Sequence, residues 1–425
     1  MGYRAVFAVR EFRAVFAAHA LSTLGVVVAE IALSVLVYGI TGSPLLSALT
    51  FALGLLPYAL GGTLLSSVAD RFPARRVLVV CDLICAACAL GMAAPGMPVV
   101  ALLVLRVVTA AVAPVFQGTR AATLGDILGD GELFVLGRSV IRIVGQSGQL
   151  VGFGVGGLLL GLASARAVLV VTVVTFLGSA LLLRLGTLAR PARPGSDGTL
   201  LRSSLSGLRL LFADRRIRAL LLLAWVPPMF VVVSEALMIP YGEGLAPGWL
   251  GLLMCGMPIG AILSQSLAGS LLGPRGRARL TLPVALLSSV PALGYVFEPG
   301  PGWALLLQVM TGFGIAYTLG LDQWFVAAVP EELRGRAMTV MTAGLMTAQG
   351  LGMALAGLAA EFFPVHQVIY GGGVLGLVCV LAVLRLVRQV EKVPGISWSA
   401  RSRRCPVRAS GGDPVSPALA EAQVE

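Results

Sequence analysis

The sequence predicts an all-α polytopic membrane protein with 12 transmembrane helices in two six-helix pseudo-repeats. Composition, the spacing of apolar stretches and the placement of basic residues support this prediction. Of the 425 residues, 57% are hydrophobic and only 12% are charged, and the mean hydropathy is +0.92. Soluble domains average roughly 45–50% apolar and about 25% charged residues. The chain therefore has too few polar side chains to cover a water-facing surface.

Charged residues, Pro/Gly clusters and turn signals divide the chain into twelve apolar stretches. Each is close to the ~20 residues that a helix needs to cross a bilayer. Backbone polar groups in lipid must be satisfied within the segment, so these stretches are predicted as helices. The predicted spans are 12–38, 45–69, 77–94, 98–118, 138–161, 166–186, 217–240, 248–272, 280–297, 303–325, 337–361 and 367–388.

The basic residues predict the orientation of these spans. With the N-terminus placed in the cytoplasm, all but two of the 31 Lys and Arg residues fall on the cytoplasmic side, the exceptions being Arg106 and Arg166. This is the positive-inside pattern. It predicts a multi-pass protein of the plasma membrane with cytoplasmic N- and C-termini. We attribute the net charge of +11 to this pattern and expect no binding of nucleic acid.

The longest internal connection begins RPARPGSDG and separates six spans from six. We predict an N-terminal six-helix bundle at 1–188 and a C-terminal six-helix bundle at 217–388. Between them, 189–216 is predicted as a cytoplasmic linker with an amphipathic helix on the membrane surface. The tail, 389–425, is rich in Ser, Pro, Arg and Gly, and we predict that it is disordered and cytoplasmic.

A glycine run, SGQLVGFGVGGL at 147–158, has a counterpart at 347–358, TAQGLGMALAGL. The first copy contains G-x-G-x-x-G, but a nucleotide-binding loop needs a preceding strand and an acidic residue about 20 positions later. The context here is helical, and the two copies lie six spans apart, which indicates a parallel internal repeat. Small residues at helical spacing allow close helix contact in lipid. The predicted helix-packing seam is Gly148, Gly152, Gly156, Gly157, Gly352 and Gly357.

Ionisable residues within spans are functional candidates, because each costs roughly 2.5–3.5 kcal/mol at a helix centre on insertion scales. We favour a functional role for Glu30 and Arg106. Near the predicted membrane interfaces, Asp82, Asp322 and Glu361 are interpreted as structural. The lone His19 is interpreted as a packed side chain. Four aromatic residues are candidates for lining a substrate cavity, although each could instead pack in the bundle: Trp225, Phe230, Tyr317 and Trp324.

The twelve spans, the parallel repeat and the long middle connection together resemble the major facilitator superfamily. The stretch Asp70-Arg71-Phe72-Pro73-Ala74-Arg75-Arg76 is similar to the superfamily's loop between helices 2 and 3. The run from Gly148 to Gly157 is similar to the antiporter motif of helix 5, with Phe153 where proline is usual. The end of the first span and Pro330-Glu-Glu-Leu-Arg-Gly-Arg336 resemble the 12-helix drug, macrolide and siderophore exporter branch.

The resemblance implies a secondary active transporter that exports a small hydrophobic or amphipathic compound, coupled to protons, by alternating access. It implies a gating loop formed by Asp70, Arg71, Arg75 and Arg76. Related exporters carry an acidic residue directly after a glycine of helix 1. Here that pair is Gly25-Val26, and the carboxylate stands four residues later at Glu30. The proton-coupling candidates are Glu30, Arg106, Glu235 and Asp322.

The expected partners are a small-molecule substrate, protons and the lipid bilayer, with a monomeric chain and with no cofactor or metal. Two alternatives stay open: an importer or uniporter of the same fold, and a non-transporting membrane sensor or assembly protein. An enzyme is disfavoured, because no cluster of His, Cys and carboxylate residues and no nucleophile with a base is visible in the sequence. The pair Cys85 and Cys88 has the C-x-x-C spacing, and we interpret both as small buried hydrophobes.

Overall fold

The computed structural model describes residues 3–55, 57, 72–129, 131–188, 190, 212–246 and 248–391. These residues form helices and short connections, as predicted for an all-α membrane protein. After a short helix, Tyr3–Ala8, the helices are α1 Arg10–Thr41, α2 Pro44–Leu55, α3 Ala74–Ala93, α4 Val99–Leu128, α5 Glu132–Leu162, α6 Ala165–Gly186, α7 Arg215–Tyr241, α8 Trp249–Leu271, α9 Pro274–Phe297, α10 Pro301–Ala328, α11 Arg334–Ala360 and α12 Val365–Glu391. Of the described helices, eleven are long and apolar enough to cross a membrane, and α2 is described only to Leu55.

Most predicted spans agree with the helices to within a few residues, but the connection predicted between the fourth and fifth spans is wrong. Helix α4 continues to Leu128 and α5 begins at Glu132, so Arg120, Arg138 and Arg142 lie on helices. The physical reason is that a charged residue ends the apolar stretch without ending the helix. The predicted surface helix and most of the tail lie outside the described residues.

The ninth and tenth helices are less regular than predicted. Helix α9 finishes as a 3₁₀ helix at Pro291–Phe297, and α10 contains a 3₁₀ turn at Gly314–Ala316. The 3₁₀ turn of α10 lies against α9 at Ser288, just before the 3₁₀ part of α9, because a Cβ atom on Gly314 would overlap Ser288. The absence of a side chain at Gly314 therefore permits this contact between the two helices.

The repeated glycine seam occupies equivalent positions in the two halves. Gly148, Gly152 and Gly156 of α5 face α1, and Gly352 of α11 faces α7. Helices α1 and α7 are the first helices of their halves. Both copies thus bring the fifth helix of a half against the first helix of the same half, which is the arrangement that a parallel repeat requires.

The last glycine of each copy makes a different contact, which joins the two halves. A Cβ atom on Gly157 of α5 would overlap the backbone of Gly251 in α8. A Cβ atom on Gly357 of α11 would meet Leu45 and Ala48 in α2. Each half therefore presents its fifth helix to the second helix of the other half, at the end of the bundle where α1 ends and α2 begins. We call this the distal end.

Two acidic residues of the C-terminal half also hold the N-terminal half at the distal end. Tyr38 donates a hydrogen bond to Glu243, with 2.6 Å between the phenol oxygen and Oε2. Glu361 accepts hydrogen bonds from the Ser43 hydroxyl and from the backbone N–H of Leu45, the latter at 3.0 Å. Its carboxylate therefore lies at the N-terminus of α2, where the helix dipole favours an anion.

Replacing Gly152 with Leu should force α5 away from α1, because even a Cβ atom there would overlap Val27. Overpacking of this kind costs typically about 1–3 kcal/mol. We expect a lower thermal unfolding midpoint for the purified protein. Gly145→Leu is the matched control on the same helix, because a Cβ atom at Gly145 meets open space. Equal midpoints for the two variants would contradict the seam.

Replacing Glu361 with Ala should loosen the contact between the halves at the distal end. An anion at a helix N-terminus stabilises by about 0.3–1 kcal/mol, and by up to about 2 when partly buried. We expect more molecules with separated distal ends, measured by electron-spin distances between labels at the exposed Ile40 and Phe362. Glu298→Ala is the control, because Glu298 pairs with His366 of its own half. An unchanged distance distribution in Glu361→Ala would refute this role.

Candidate functional site

A cavity of about 250 Å³ lies within the N-terminal half and is lined by residues of α1, α2, α3, α4 and α6. Its walls are mostly apolar, including Leu33, Met92 and Phe176. Ionisable side chains also reach it: His19, Glu30, Asp82, Arg106 and Arg120. The cavity therefore combines an apolar lining with the buried charged groups that the sequence marked as costly.

Arg106 and Glu30 form a buried ion pair in this cavity. Nη2 of Arg106 lies 2.5 Å from Oε1 of Glu30, and the two side chains are 9% and 18% exposed. Nε of Arg106 also donates to the backbone oxygen of Thr50 at 2.9 Å. Gly54 leaves room for the guanidinium, since a Cβ atom at Gly54 would overlap it. About two helical turns from the start of α4, the cation is thus held by the Glu30 carboxylate and the Thr50 carbonyl, in space that the missing side chain of Gly54 leaves open.

Asp82 on α3 is the second buried carboxylate of the cavity and is 1% exposed. Its Oδ1 accepts a hydrogen bond from Ser22 of α1 at 3.0 Å, and its Oδ2 accepts one from Ser179 of α6 at 2.6 Å. Asp82 therefore lies in the interior of the bundle. It joins α1, α3 and α6 through the hydroxyl groups of Ser22 and Ser179.

His19 lines the same cavity as Asp82 and is 6% exposed. Its Nδ1 faces an N–H of Arg120 and lies 3.1 Å from the hydroxyl of Thr23. A guanidinium only donates hydrogen bonds, so Nδ1 is assigned as the acceptor and carries no proton. His19 is packed and hydrogen-bonded, and it also lines the cavity.

The other two coupling candidates occupy different environments in the C-terminal half. Glu235 of α7 is 7% exposed, and it lies close enough to Glu30 for the two carboxylates to repel each other. Asp322 of α10 is exposed and lies near Tyr317. Glu235 is therefore the residue of the C-terminal half that the structure brings towards the ion pair.

The four aromatic candidates do not lie together. Phe230 lines a second cavity, of about 640 Å³, between α7, α11 and α12. Tyr317 and Trp324 are buried in an apolar cluster of the C-terminal half, and Trp225 packs at its edge. Trp225 also donates a hydrogen bond from Nε1 to the backbone oxygen of Met341 at 2.9 Å. Their role in binding a substrate stays a prediction.

The predicted gating loop is only partly described. Asp70 and Arg71 lie outside the described residues. Arg75 donates to the backbone oxygen of Thr187 at 3.2 Å, near the C-terminus of α6, where a cation is favoured. Arg76 is exposed. Within the residues that the structure describes, no group of three or more His, Cys, Asp or Glu side chains is placed to hold a metal ion.

Sequence reasoning missed three residues that shape the site and the bundle. Asp82 was assigned to the interface because it follows the start of an apolar stretch closely. No sequence pattern marked Gly54 or Gly251. The role of a glycine in a membrane helix depends on which neighbouring group occupies the space that a side chain would fill. Gly54 can be linked to Arg106 only when the packing of α2 against α4 is known.

The sequence is similar to a known protein family and to characterised membrane proteins. A family model described as the Major Facilitator Superfamily matches residues 15–328 and, in a second match, 245–417. The multidrug efflux pump Tap of Mycolicibacterium fortuitum is 25% identical over 345 residues, which are 76% of this chain and 83% of Tap. A homolog of the multidrug resistance efflux pump PmrA from Lactococcus lactis is 23% identical over 184 residues, 41% of this chain and 45% of that protein.

Solved structures agree in fold. The nucleoside transporter NupG superposes with a TM-score of 0.70 at 17% identity, covering 88% of this chain and 98% of NupG. A bacterial homolog of the human lysosomal transporter Spinster, in an inward-facing and unoccupied conformation, gives 0.63 at 16% identity, covering 89% and 95%. The family match extends over most of the sequence. The chain is therefore a transporter and not an enzyme, and it belongs to the major facilitator superfamily.

Proposed function

We propose that this transporter exports a small hydrophobic or amphipathic compound, such as a drug, an antibiotic or a natural product, in exchange for protons. The observation that carries the proposal is the buried pair of Glu30 and Arg106 in an otherwise apolar cavity. Arginine stays protonated at all physiological pH values, so only the carboxylate of this pair can exchange a proton. The similarity to Tap and to the PmrA homolog, both named as multidrug efflux pumps, supports the direction of transport.

The geometry suggests how rocking of the halves would change the affinity of Glu30 for a proton. In the present conformation Arg106 stabilises the ionised carboxylate, and Glu235 of the other half lies near it. A movement of one half relative to the other changes the distance between Glu30 and Glu235. A separation of Glu30 from Arg106 during the cycle would favour the neutral acid, because an isolated buried charge is costly.

The conformation fits one side of an alternating-access cycle. The described contacts between the halves include the paired glycines and the two acidic residues at the distal end. With the N-terminus in the cytoplasm, as the basic residues predict, the distal end faces outwards and is closed. A proton that enters from outside gains ~2.3 kcal/mol for each 100 mV of membrane potential, which can drive export.

An importer or uniporter of the same fold is the second candidate, since the nucleoside transporter NupG and the Spinster homolog share this fold and are not named as efflux pumps. A screen separates the candidates. Dyes and antibiotics are supplied to an efflux-deficient strain with and without this protein. An exporter lowers the cellular content of at least one compound, and an importer raises it. A rise without any fall would contradict export. The compound with the largest effect serves as the probe below.

Replacing Glu30 with Gln should abolish export of that probe against its gradient while leaving exchange down the gradient intact. Gln keeps the size of the side chain and removes the exchangeable proton. We expect accumulation in energised inverted vesicles to fall to the level of vesicles without the protein. Glu331→Gln is the control, because the Glu331 side chain is 87% exposed. Retained uphill transport in Glu30→Gln would assign the coupling to another residue.

Replacing Gly54 with Ala tests the same pair without removing a charge. The added methyl group would occupy the position of the Arg106 guanidinium and separate it from Glu30. We expect reduced uphill transport and a changed pH dependence of transport. Gly39→Ala on α1 is the matched control, because a Cβ atom there meets no neighbour within 4 Å. Identical pH profiles for Gly54→Ala and the wild type would show that the pair does not set the coupling.

A further inference from the structure

Both side-chain hydrogen bonds of Asp82 within the described part of the chain come from hydroxyl groups. Ser22 reaches Oδ1 and Ser179 reaches Oδ2, and each comes from a different neighbouring helix. All three side chains are buried, and Asp82 and Ser22 line the cavity that also contains Glu30. A hydroxyl group both donates and accepts, so its hydrogen bonds do not fix the carboxyl group in one protonation state.

Ser179 has two acceptors within reach but only one proton. Its Oγ lies 2.6 Å from Oδ2 of Asp82 and 3.0 Å from the backbone oxygen of Ala18. When Asp82 is ionised, Ser179 donates to the carboxylate. When Oδ2 carries a proton, Asp82 donates to Ser179, and Ser179 donates to Ala18. Both states satisfy the buried hydroxyl and carboxyl groups, so a proton can bind or leave without an unpaired polar atom.

Glu30 lacks this property in the same conformation. Its partner Arg106 only donates, so Oε1 must remain an acceptor and a bound proton must lie on Oε2, for which the described hydrogen bonds include no acceptor. Protonation of Glu30 therefore leaves its O–H group without a hydrogen-bond acceptor among the described contacts. Of the two buried carboxylates in the cavity, Asp82 is the one whose hydrogen-bonding partners accommodate both forms.

The titratable and charged groups around Asp82 come from three helices. Arg120 of α4 acts on it through its charge, and His19 of α1 lies between Arg120 and Thr23. Cys81 and Cys85 are neighbours on α3 itself. Helix α6 contributes the hydroxyl of Ser179. Arg120 is thus the cation that opposes protonation of Asp82, as Arg106 is for Glu30.

We propose that Asp82 is a second proton-binding residue of the transport cycle, with Ser179 as the hydroxyl that reverses its hydrogen bond when the proton binds. The proposal rests on the proposed proton-coupled export. Ser22, which holds Asp82, precedes Glu30 by eight positions on α1, a rise of ~12 Å along the helix. The two carboxylates therefore mark two depths of one cavity. A proton taken up at Glu30 from the distal side would pass to Asp82 before its release on the opposite side.

Infrared titration of the purified full chain in lipid nanodiscs tests proton binding directly, without substrate or an ion gradient. The carbonyl stretching band of a protonated carboxyl group should grow as the pH is lowered in the wild type. We expect Asp82→Asn to remove a component of this band that Glu30→Gln retains. The proposal is overturned if Asp82→Asn leaves the band unchanged, or if the titrating component disappears only in Glu30→Gln.

Two further variants keep the test independent of folding. Asn can accept from Ser22 and donate to Ser179, which reproduces the protonated arrangement, so Asp82→Asn should unfold at a temperature close to that of the wild type. Ser179→Ala keeps the carboxyl group but removes the reversing hydroxyl, and it should shift the pH midpoint of the band. Ser270→Ala is its control, because Ser270 is exposed and its hydroxyl donates to backbone oxygens of α8 itself. Equal midpoints in Ser179→Ala and Ser270→Ala would contradict the role of Ser179.

The titration also separates this proposal from proton-coupled export itself. If export needs no proton gradient and the Asp82 band still titrates, the coupling is wrong and Asp82 is a proton-binding site. If export depends on protons and Asp82→Asn transports the probe with unchanged proton-to-substrate stoichiometry, Asp82 lies outside the pathway. We expect Asp82→Asn to lower that stoichiometry or to abolish uphill transport.

Discussion

Arg106 imposes the strongest physical constraint on the N-terminal half, because a permanent cation inside an apolar bundle must be neutralised and hydrogen-bonded. The surrounding helices meet this requirement with the Glu30 carboxylate, the Thr50 carbonyl and the space left by Gly54. Removing one partner leaves a charge unpaired. The pair therefore joins α1, α2 and α4 in one arrangement, and any proton that binds Glu30 must weaken it.

The contacts between the halves depend on the opposite property, the absence of side chains. Gly157 and Gly251 bring two backbones together, and Gly357 does the same against α2. Small residues allow such contacts without a hydrophobic driving force between helices in lipid. Among the described residues, Glu243 and Glu361 accept three hydrogen bonds across the distal end, so separation of the halves there breaks few hydrogen bonds. A weak closure of this kind suits a protein that must open and close repeatedly.

The fold was predictable because lipid restricts the choices: apolar stretches of bilayer length become helices, and basic residues indicate their direction. Glu30 and Arg106 could be identified as candidates by their cost in lipid, but their contact required the packing of α1 against α4. The sequence did not distinguish Asp82 from a residue at the membrane interface, because the position of Asp82 in α3 does not show its hydrogen bonds with Ser22 and Ser179. The glycine spacing showed the internal repeat, but it did not show that Gly157 and Gly357 contact α8 and α2.

The central claim is that movement of the exported compound is coupled to movement of protons in the opposite direction. Sealed proteoliposomes with a trapped pH indicator test it most directly. A gradient of the probe compound is imposed across the membrane with no gradient of any ion. The account predicts that the flow of the compound down its gradient drives protons the other way, changing the internal pH, and that Glu30→Gln abolishes this change. Flow of the compound through the wild-type protein without any change in internal pH would contradict the account.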